Sequence, residues 1–162
     1  MPAAGARYAG FWRRLGAVAV DTMLIVPVLI ALLHLVYGRD YWRWLGGAGE
    51  GGFYGLWELV ISYLLPAVFT VACWVWLQAT PGKLLLGCRV VDARSLAPLR
   101  PGRAVLRYLA YFVSYLPLCL GFAWIGWDRR KQGFHDKIAR SVVIRAEDAA
   151  LPSLEEIDRR LA

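Results

Sequence analysis

The sequence predicts an all-α integral membrane protein: two transmembrane helices, a broken helical hairpin or third span, and a small cytoplasmic two-stranded β element. Three observations predict it. Hydrophobic residues make up 59% of the 162 residues and charged ones only 19%, below the roughly 25% of soluble domains. Three long apolar runs stand apart from one another, and basic residues gather at some of their ends but not at others. At this length the chain is one compact membrane unit over residues 7–146, followed by a short tail over 147–162.

The first run, 16–37, is 22 residues with Asp21 as its one acidic residue and the usually neutral His34 near its end. As a helix it spans about 33 Å, enough to cross the hydrocarbon core of a bilayer. An Asp near the centre of such a helix costs about 2.5–3.5 kcal/mol on insertion scales, so Asp21 needs a partner and is a functional candidate. Arg13 and Arg14 precede the run as in a secretory signal. The run is too long for a signal h-region and lacks a small-residue cleavage site after Tyr37, which predicts a retained anchor.

The second run, 56–79, is the second spanning helix, with Glu58 near its start and Gln78 near its end. The loop between the runs balances Arg39 and Arg43 against Asp40 and Glu50 and is crowded with Tyr37, Tyr41, Trp42, Trp44, Tyr54 and Trp57, rings that favour the headgroup level. By contrast, Arg7, Arg13 and Arg14 come before the first run, and Lys83, Arg89, Arg94, Arg100 and Arg103 follow the second against Asp92 alone. The positive-inside rule therefore places the N-terminus and this connector in the cytoplasm.

The third run, 104–127, carries Arg107 near its start and is interrupted by Pro117 and Gly121. Arg129, Arg130, Lys131, Lys137, Arg140 and Arg145 follow it against Asp128 and Asp136, which is again a cytoplasmic profile. A hairpin entering and leaving on the cytoplasmic side reconciles the charges, with arms of about 13 and 10 residues reaching roughly 20 and 15 Å. A plain third span, which would put the C-terminus outside, is the alternative. Strand signals over 84–92 and 141–145 favour the hairpin, because pairing puts both strands on one side. Ser153, Glu156, Leu154, Ile157 and Leu161 predict a short amphipathic tail helix with a capping box.

Motif spacing removes several chemistries. The net charge of +7 forms no stripe interleaved with stacking aromatics, so the expected partner is the lipid bilayer and not nucleic acid. Cys73, Cys88 and Cys119 form no C-x-x-C pair, which argues against disulfides and a zinc site. His135-Asp136 is one half of a metal phosphohydrolase pattern whose other half is missing, and Lys83 lacks the spacing of a phosphate loop. No nucleophile and base are arranged for catalysis, so no enzyme, catalytic residue, metal or cofactor is expected.

Tyr8-Ala-Gly-Phe-Trp-Arg-Arg through Asp21, Thr80-Pro-Gly-Lys leading to Val90-Val-Asp, and Asp128-Arg-Arg-Lys-Gln-Gly-Phe-His-Asp136 followed by Val142-Val-Ile occur in order. In these three motifs, over about 7–145, the chain resembles the RDD family of small bacterial membrane proteins. The family's arginine and first aspartate match Arg14 and Asp21; its second matches Asp136, with Asp128 competing. The resemblance implies a multi-pass protein of the bacterial cytoplasmic membrane whose activity is undefined, with transport and, for some members, cation/proton antiport suggested.

Arg14 and Asp21 are about 10.5 Å apart along one helix, too far for a direct pair. The expected partner of Asp21 is Arg107, then Lys83; Asp136 is expected to cap backbone donors or to pair with Arg89, Arg129 or Lys137. His34 and Glu58 lie near the outer ends of their helices, where they could share a proton, though hydration at the interface is the favoured expectation for both. The functional candidates are thus Arg14, Asp21, Lys83, Arg107, Asp128, His135 and Asp136. Two classes of function follow. One is transport of a proton or monovalent cation, which requires a homo-oligomer because so few helices enclose little space. The other is a non-transport module that docks another membrane protein or anionic lipid through its basic cytoplasmic face.

Overall fold

The computed structural model describes residues 7–47, 53–116 and 120–146. Helix α1, Phe11–Gly47, starts well before the predicted span at 16 and is interrupted at Gly38, whose φ of 66° only a residue without Cβ adopts readily. The predicted end at Tyr37 coincides with that break. Beyond it the helical backbone resumes, so the aromatic segment expected as loop is partly helical. Helix α2, Leu56–Trp76, contains a π turn over Val60–Leu64. The turn has a local cause: Pro66 has no N–H and its ring would strike the carbonyl four residues back, Ser62.

These two helices are the ones, among the described residues, long and apolar enough to cross a membrane. Their side chains say the same, since Met23, Leu35, Tyr63 and Val68 are exposed along with most of their apolar neighbours. An aqueous protein would bury them; lipid solvates them.

The connector differs from the predicted strand 84–92. Thr80 is extended and Pro81 opens a short helix, α3, Pro81–Leu85, because a proline ring fixes the φ a first helical turn needs. Strand β1, Cys88–Asp92, begins only after Gly87 turns the chain at a φ of 58°. It pairs antiparallel with β2, Ser141–Arg145, in the register Val90 opposite Val143. The N-terminal segment adds a contact not foreseen: Tyr8 bridges Ile144, and Ala9 N–H donates to the Val143 carbonyl at 2.9 Å.

Between the strands lie α4, Pro101–Tyr115, and α5, Leu120–Gly126, bent by 114° from one another. They fall on the predicted hairpin, though its Pro117 turn, Cys119 and the predicted tail helix lie outside the described residues. Gly121 permits the arms to close: a Cβ there would stand 2.6 Å from Ser114 Cα. Helix α6, Phe134–Ile138, packs against α4 and leads into β2. The core joins these parts, with Trp74 of α2, Val90, Leu99, Ala104 of α4 and Val143 buried together.

Candidate functional site

Asp136 is the centre of the buried charge. It lies on the first turn of α6, is fully buried, and accepts the N–H of Gly133 at 3.0 Å, which caps that helix. Arg14 of α1 places Nη1 2.5 Å from Oδ2, and Arg107 of α4 places Nη2 2.7 Å from Oδ1. Arg107 also donates to Ser141 Oγ on β2 at 2.7 Å, and Arg14 Nε donates to the Ala9 carbonyl at 3.0 Å. Burial alone would raise the Asp136 carboxyl, but Arg107 and Arg14 together hold it well below the usual carboxylate range. The cluster ties α1, α4, α6 and β2 at one point.

This arrangement corrects two expectations. Arg107 serves Asp136 and not Asp21, and Asp136 takes Arg14 and Arg107 where Arg89, Arg129 or Lys137 was expected, although its predicted role as a backbone cap is present. Sequence distance hid the pairing, since Arg14 and Asp136 are 122 residues apart. Arg89 instead donates to the Leu77 carbonyl at 2.9 Å. Lys137 pairs with Asp128 at 2.7 Å, where Asp128 also accepts the Arg130 and Gln132 N–H groups. Asp128 thus organises a surface turn of its own, apart from the Arg14–Asp136 cluster.

Asp21 is satisfied by neutral donors. Thr80 Oγ1 donates to Oδ2 at 2.5 Å and Gly82 N–H donates to Oδ1 at 2.6 Å. The Thr80-Pro-Gly-Lys turn is shaped for this contact. Pro81 starts α3 with its N–H groups free to meet an acceptor, and Gly82 lets the turn press on α1, where a Cβ would stand 2.2 Å from the Ala17 carbonyl oxygen. Lys83 is the next residue, buried, with Nζ 3.4 Å from Thr80 Oγ1 and 5.8 Å above the Trp74 ring. Burial and Arg107 push its amine down to about 8, against the opposing pull of Asp21.

His135 is held from both sides. Ser114 Oγ lies 3.1 Å from Nδ1 and accepts the His135 backbone N–H at 3.2 Å, while Nε2 faces Asp136 Oδ1 at 3.6 Å. A ring with its proton on Nε2, accepting from Ser114 at Nδ1, satisfies all three contacts. Burial pushes the imidazole down to about 3, so it is neutral at physiological pH. Toward the far end of α1, His34 Nδ1 accepts from the Trp42 indole at 3.1 Å, and Glu58 accepts from Tyr41 and from the Tyr54 N–H. The proposed His34–Glu58 proton sharing gains no contact from these partners.

A cavity of about 1050 Å³ connects these groups. Arg14, Asp21, Thr80, Lys83, Arg107 and His135 line its polar end, while Leu15 through Leu29 of α1 and Leu65 through Phe69 of α2 contribute its apolar walls. Three buried donors of lining residues find no acceptor among the described residues: Arg14 Nη2, Arg107 Nε and the Trp74 indole Nε1. Trp74 and Ser141 were not singled out from the sequence, and Thr80 stood out only as part of the Thr80-Pro-Gly-Lys motif. A hydroxyl directly before Pro-Gly was the available signal for Thr80, and a lone Ser opening an apolar strand was the one for Ser141.

Comparison with known proteins places the chain in a family. The chain is 29% identical over 154 residues to the uncharacterized protein YckC of Bacillus subtilis (strain 168), covering 93% of this chain and 90% of that protein. It is 27% identical over 106 residues to the proline-rich antigen of Mycobacterium leprae (strain TN), covering 60% of this chain but 39% of the antigen. Similarity to the uncharacterized protein RP437 of Rickettsia prowazekii (strain Madrid E) is 25% over 119 residues, or 71% of this chain and 65% of that protein. No solved structure matches. A sequence model of the RDD family matches residues 8–140, and the chain belongs to the RDD family.

Proposed function

We propose that this protein is a non-transport module of the bacterial cytoplasmic membrane that docks another membrane protein or anionic lipid through its basic cytoplasmic face. One observation carries the reading: Asp21 and Asp136 are both already filled by fixed donors, Asp21 by Thr80 and Gly82 and Asp136 by Arg14 and Arg107. A cation would have to displace the Thr80 and Gly82 donors from Asp21.

Exposed Arg7, Arg94, Arg100 and Arg140 lie on segments that adjoin the sheet, which supports a cytoplasmic position for it and for both ends of the described chain. On this reading the protein is not an enzyme. Ser114, His135 and Asp136 touch in series, but Ser114 is sealed against Gly121 and Asp136 is committed to two guanidinium groups.

Proton or cation exchange by a homo-oligomer is the competing reading, and Lys83 favours it, since an amine near 8 beside Asp21 can exchange protons at physiological pH. Ion flux into proteoliposomes decides between them. The expected result is no movement of sodium, potassium or protons beyond that of protein-free vesicles; flux lost on Asp21→Asn would establish transport instead.

A further inference from the structure

Beyond that reading, we propose that the cavity binds a long-chain fatty acid taken from the bilayer, with its carboxylate against the Lys83 ammonium and its alkyl chain along the groove between α1 and α2. Lys83 is a buried cation with incomplete partners. It is 5% exposed and lines the cavity, yet its three N–H donors share one hydrogen bond, a long one of 3.4 Å to Thr80 Oγ1. Among the described residues no carboxylate stands within ion-pair distance of Nζ, since Asp21 is taken by Thr80 and Gly82, and Asp136 by Arg14 and Arg107.

Charge supports one monovalent anion. Arg14, Lys83 and Arg107 oppose Asp21 and Asp136 at this end, which leaves a single positive charge, and His135 is neutral. Burial pushes the Lys83 amine down to about 8, and a carboxylate set against it would offset that penalty. Two hydroxyls extend the donor set. Thr70 of α2 and Tyr108 of α4 line the cavity and make no hydrogen bond among the described residues, so each can turn its proton to an incoming oxygen.

Shape supports a fatty acid over a phospholipid. The polar end is walled by Trp74, Arg107 and His135, all buried, so the group seated there must be the end of its molecule. A carboxylate terminates its chain, whereas a phosphodiester carries glycerol on one side and a headgroup on the other. From Asp21 to Leu29 the lining runs about 12 Å along α1, close to the roughly 15 Å of hydrocarbon in one leaflet. Val18, Leu24, Val28, Leu65 and Phe69 along it are exposed, which opens the groove sideways to lipid, the phase in which a fatty acid dissolves.

Native mass spectrometry of the full chain in a non-ionic detergent, titrated separately with palmitate and hexadecanol, tests the proposal. One palmitate per chain should bind about tenfold more tightly than hexadecanol, because only the carboxylate makes hydrogen bonds between two charged groups. Lys83→Met keeps the bulk of the side chain without its charge and should bring palmitate down to the level of hexadecanol while leaving hexadecanol unchanged. A second variant does not touch the buried cluster: Val18→Trp fills the groove from an exposed position and should abolish palmitate retention, whereas Val26→Trp, exposed on α1 but outside the lining, should not.

Equal binding of palmitate and hexadecanol to the wild type overturns the proposal. So does palmitate binding that is unchanged in Lys83→Met or in Val18→Trp. Phosphatidylglycerol displacing palmitate at equal concentration overturns it as well, because the polar end would then accept a diester.

Discussion

Arg14 and Arg107 each hold a different oxygen of the Asp136 carboxylate, at 2.5 and 2.7 Å. Two guanidinium groups from helices separated by the whole second span therefore depend on one buried anion. Removing one member of a buried pair typically costs about 3–5 kcal/mol, because the remaining charge is stranded out of water. Asp136→Asn strands two and should be the most damaging single change in the molecule. Arg14→Gln and Arg107→Gln should each lower the melting temperature in detergent. Each of these combined with Asp136→Asn should cost less than the two single effects added, since fewer uncompensated charges remain. Strict additivity in a thermal double-mutant cycle would contradict a shared lock.

His135 makes the lock sensitive to acid. Its imidazole takes a proton near 6.5 when unfolded but only near 3 when folded, so between these values the unfolded state binds the extra proton. Stability therefore falls as pH drops through that window, with a slope approaching about 1.4 kcal/mol per pH unit. Asp136 is depressed below its ordinary value of 3.8, and its contribution is lost only as pH falls below that value. Above it the His135 effect can be measured alone. Melting of the wild type from pH 7 to 4.5 should show a decline that His135→Asn flattens, and identical slopes would mean the ring is hydrated.

Much of this architecture could be read from residues in sequence, and the reason is periodicity. Runs of lipid-facing side chains identify α1 and α2, short β-branched runs at Val90-Val91 and Val142-Val143-Ile144 identify β1 and β2, and a break at Gly38 ends the first span where its apolar run ends. The partners of the charged residues could not be read in the same way. Arg14 finds Asp136 across 122 positions, and Asp21 is satisfied by a hydroxyl and a backbone N–H that carry no charge for a pattern to reveal. All seven candidate residues lie in polar contacts, yet only the folded chain assigns which acid takes which base. The short helix α3 was hidden for a different reason, because Leu84 to Asp92 reads as continuous strand until Gly87 is seen to turn the chain at positive φ.

Gly82 tests the closeness of α3 to α1. A methyl group there would stand 2.2 Å from the Ala17 carbonyl oxygen and 2.9 Å from the Asp21 nitrogen, both backbone atoms that cannot swing aside. Gly82→Ala must push α3 away and lengthen the Gly82 N–H to Asp21 contact. A loss of a few kcal/mol is expected, at the upper end of overpacking costs. Gly102→Ala is the control, since nothing lies within 4 Å of a Cβ there. Comparable melting temperatures for the two variants would mean the turn sits farther from α1 than the contact requires.

Orientation is the last expectation, and the charges at the two ends of the spans argue for it. Exposed Arg7, Arg94, Arg100 and Arg140 lie on segments that adjoin the sheet, while the opposite end pairs Arg43 with Asp40 at 3.2 Å and commits Glu58 to Tyr41 and the Tyr54 N–H. The hairpin bend between α4 and α5 adds a second constraint. If α4 and α5 return to the side they entered from, β1 and β2 can pair without either strand crossing the bilayer, as their register requires. A variant with its native cysteines replaced, bearing one new cysteine at Gly47 or at Arg140, separates the ends, since both positions are exposed. A membrane-impermeant thiol reagent applied to intact cells should label Gly47→Cys and reach Arg140→Cys only after lysis. Labelling of Arg140→Cys in intact cells would place the sheet outside, reversing the orientation expected from the basic residues.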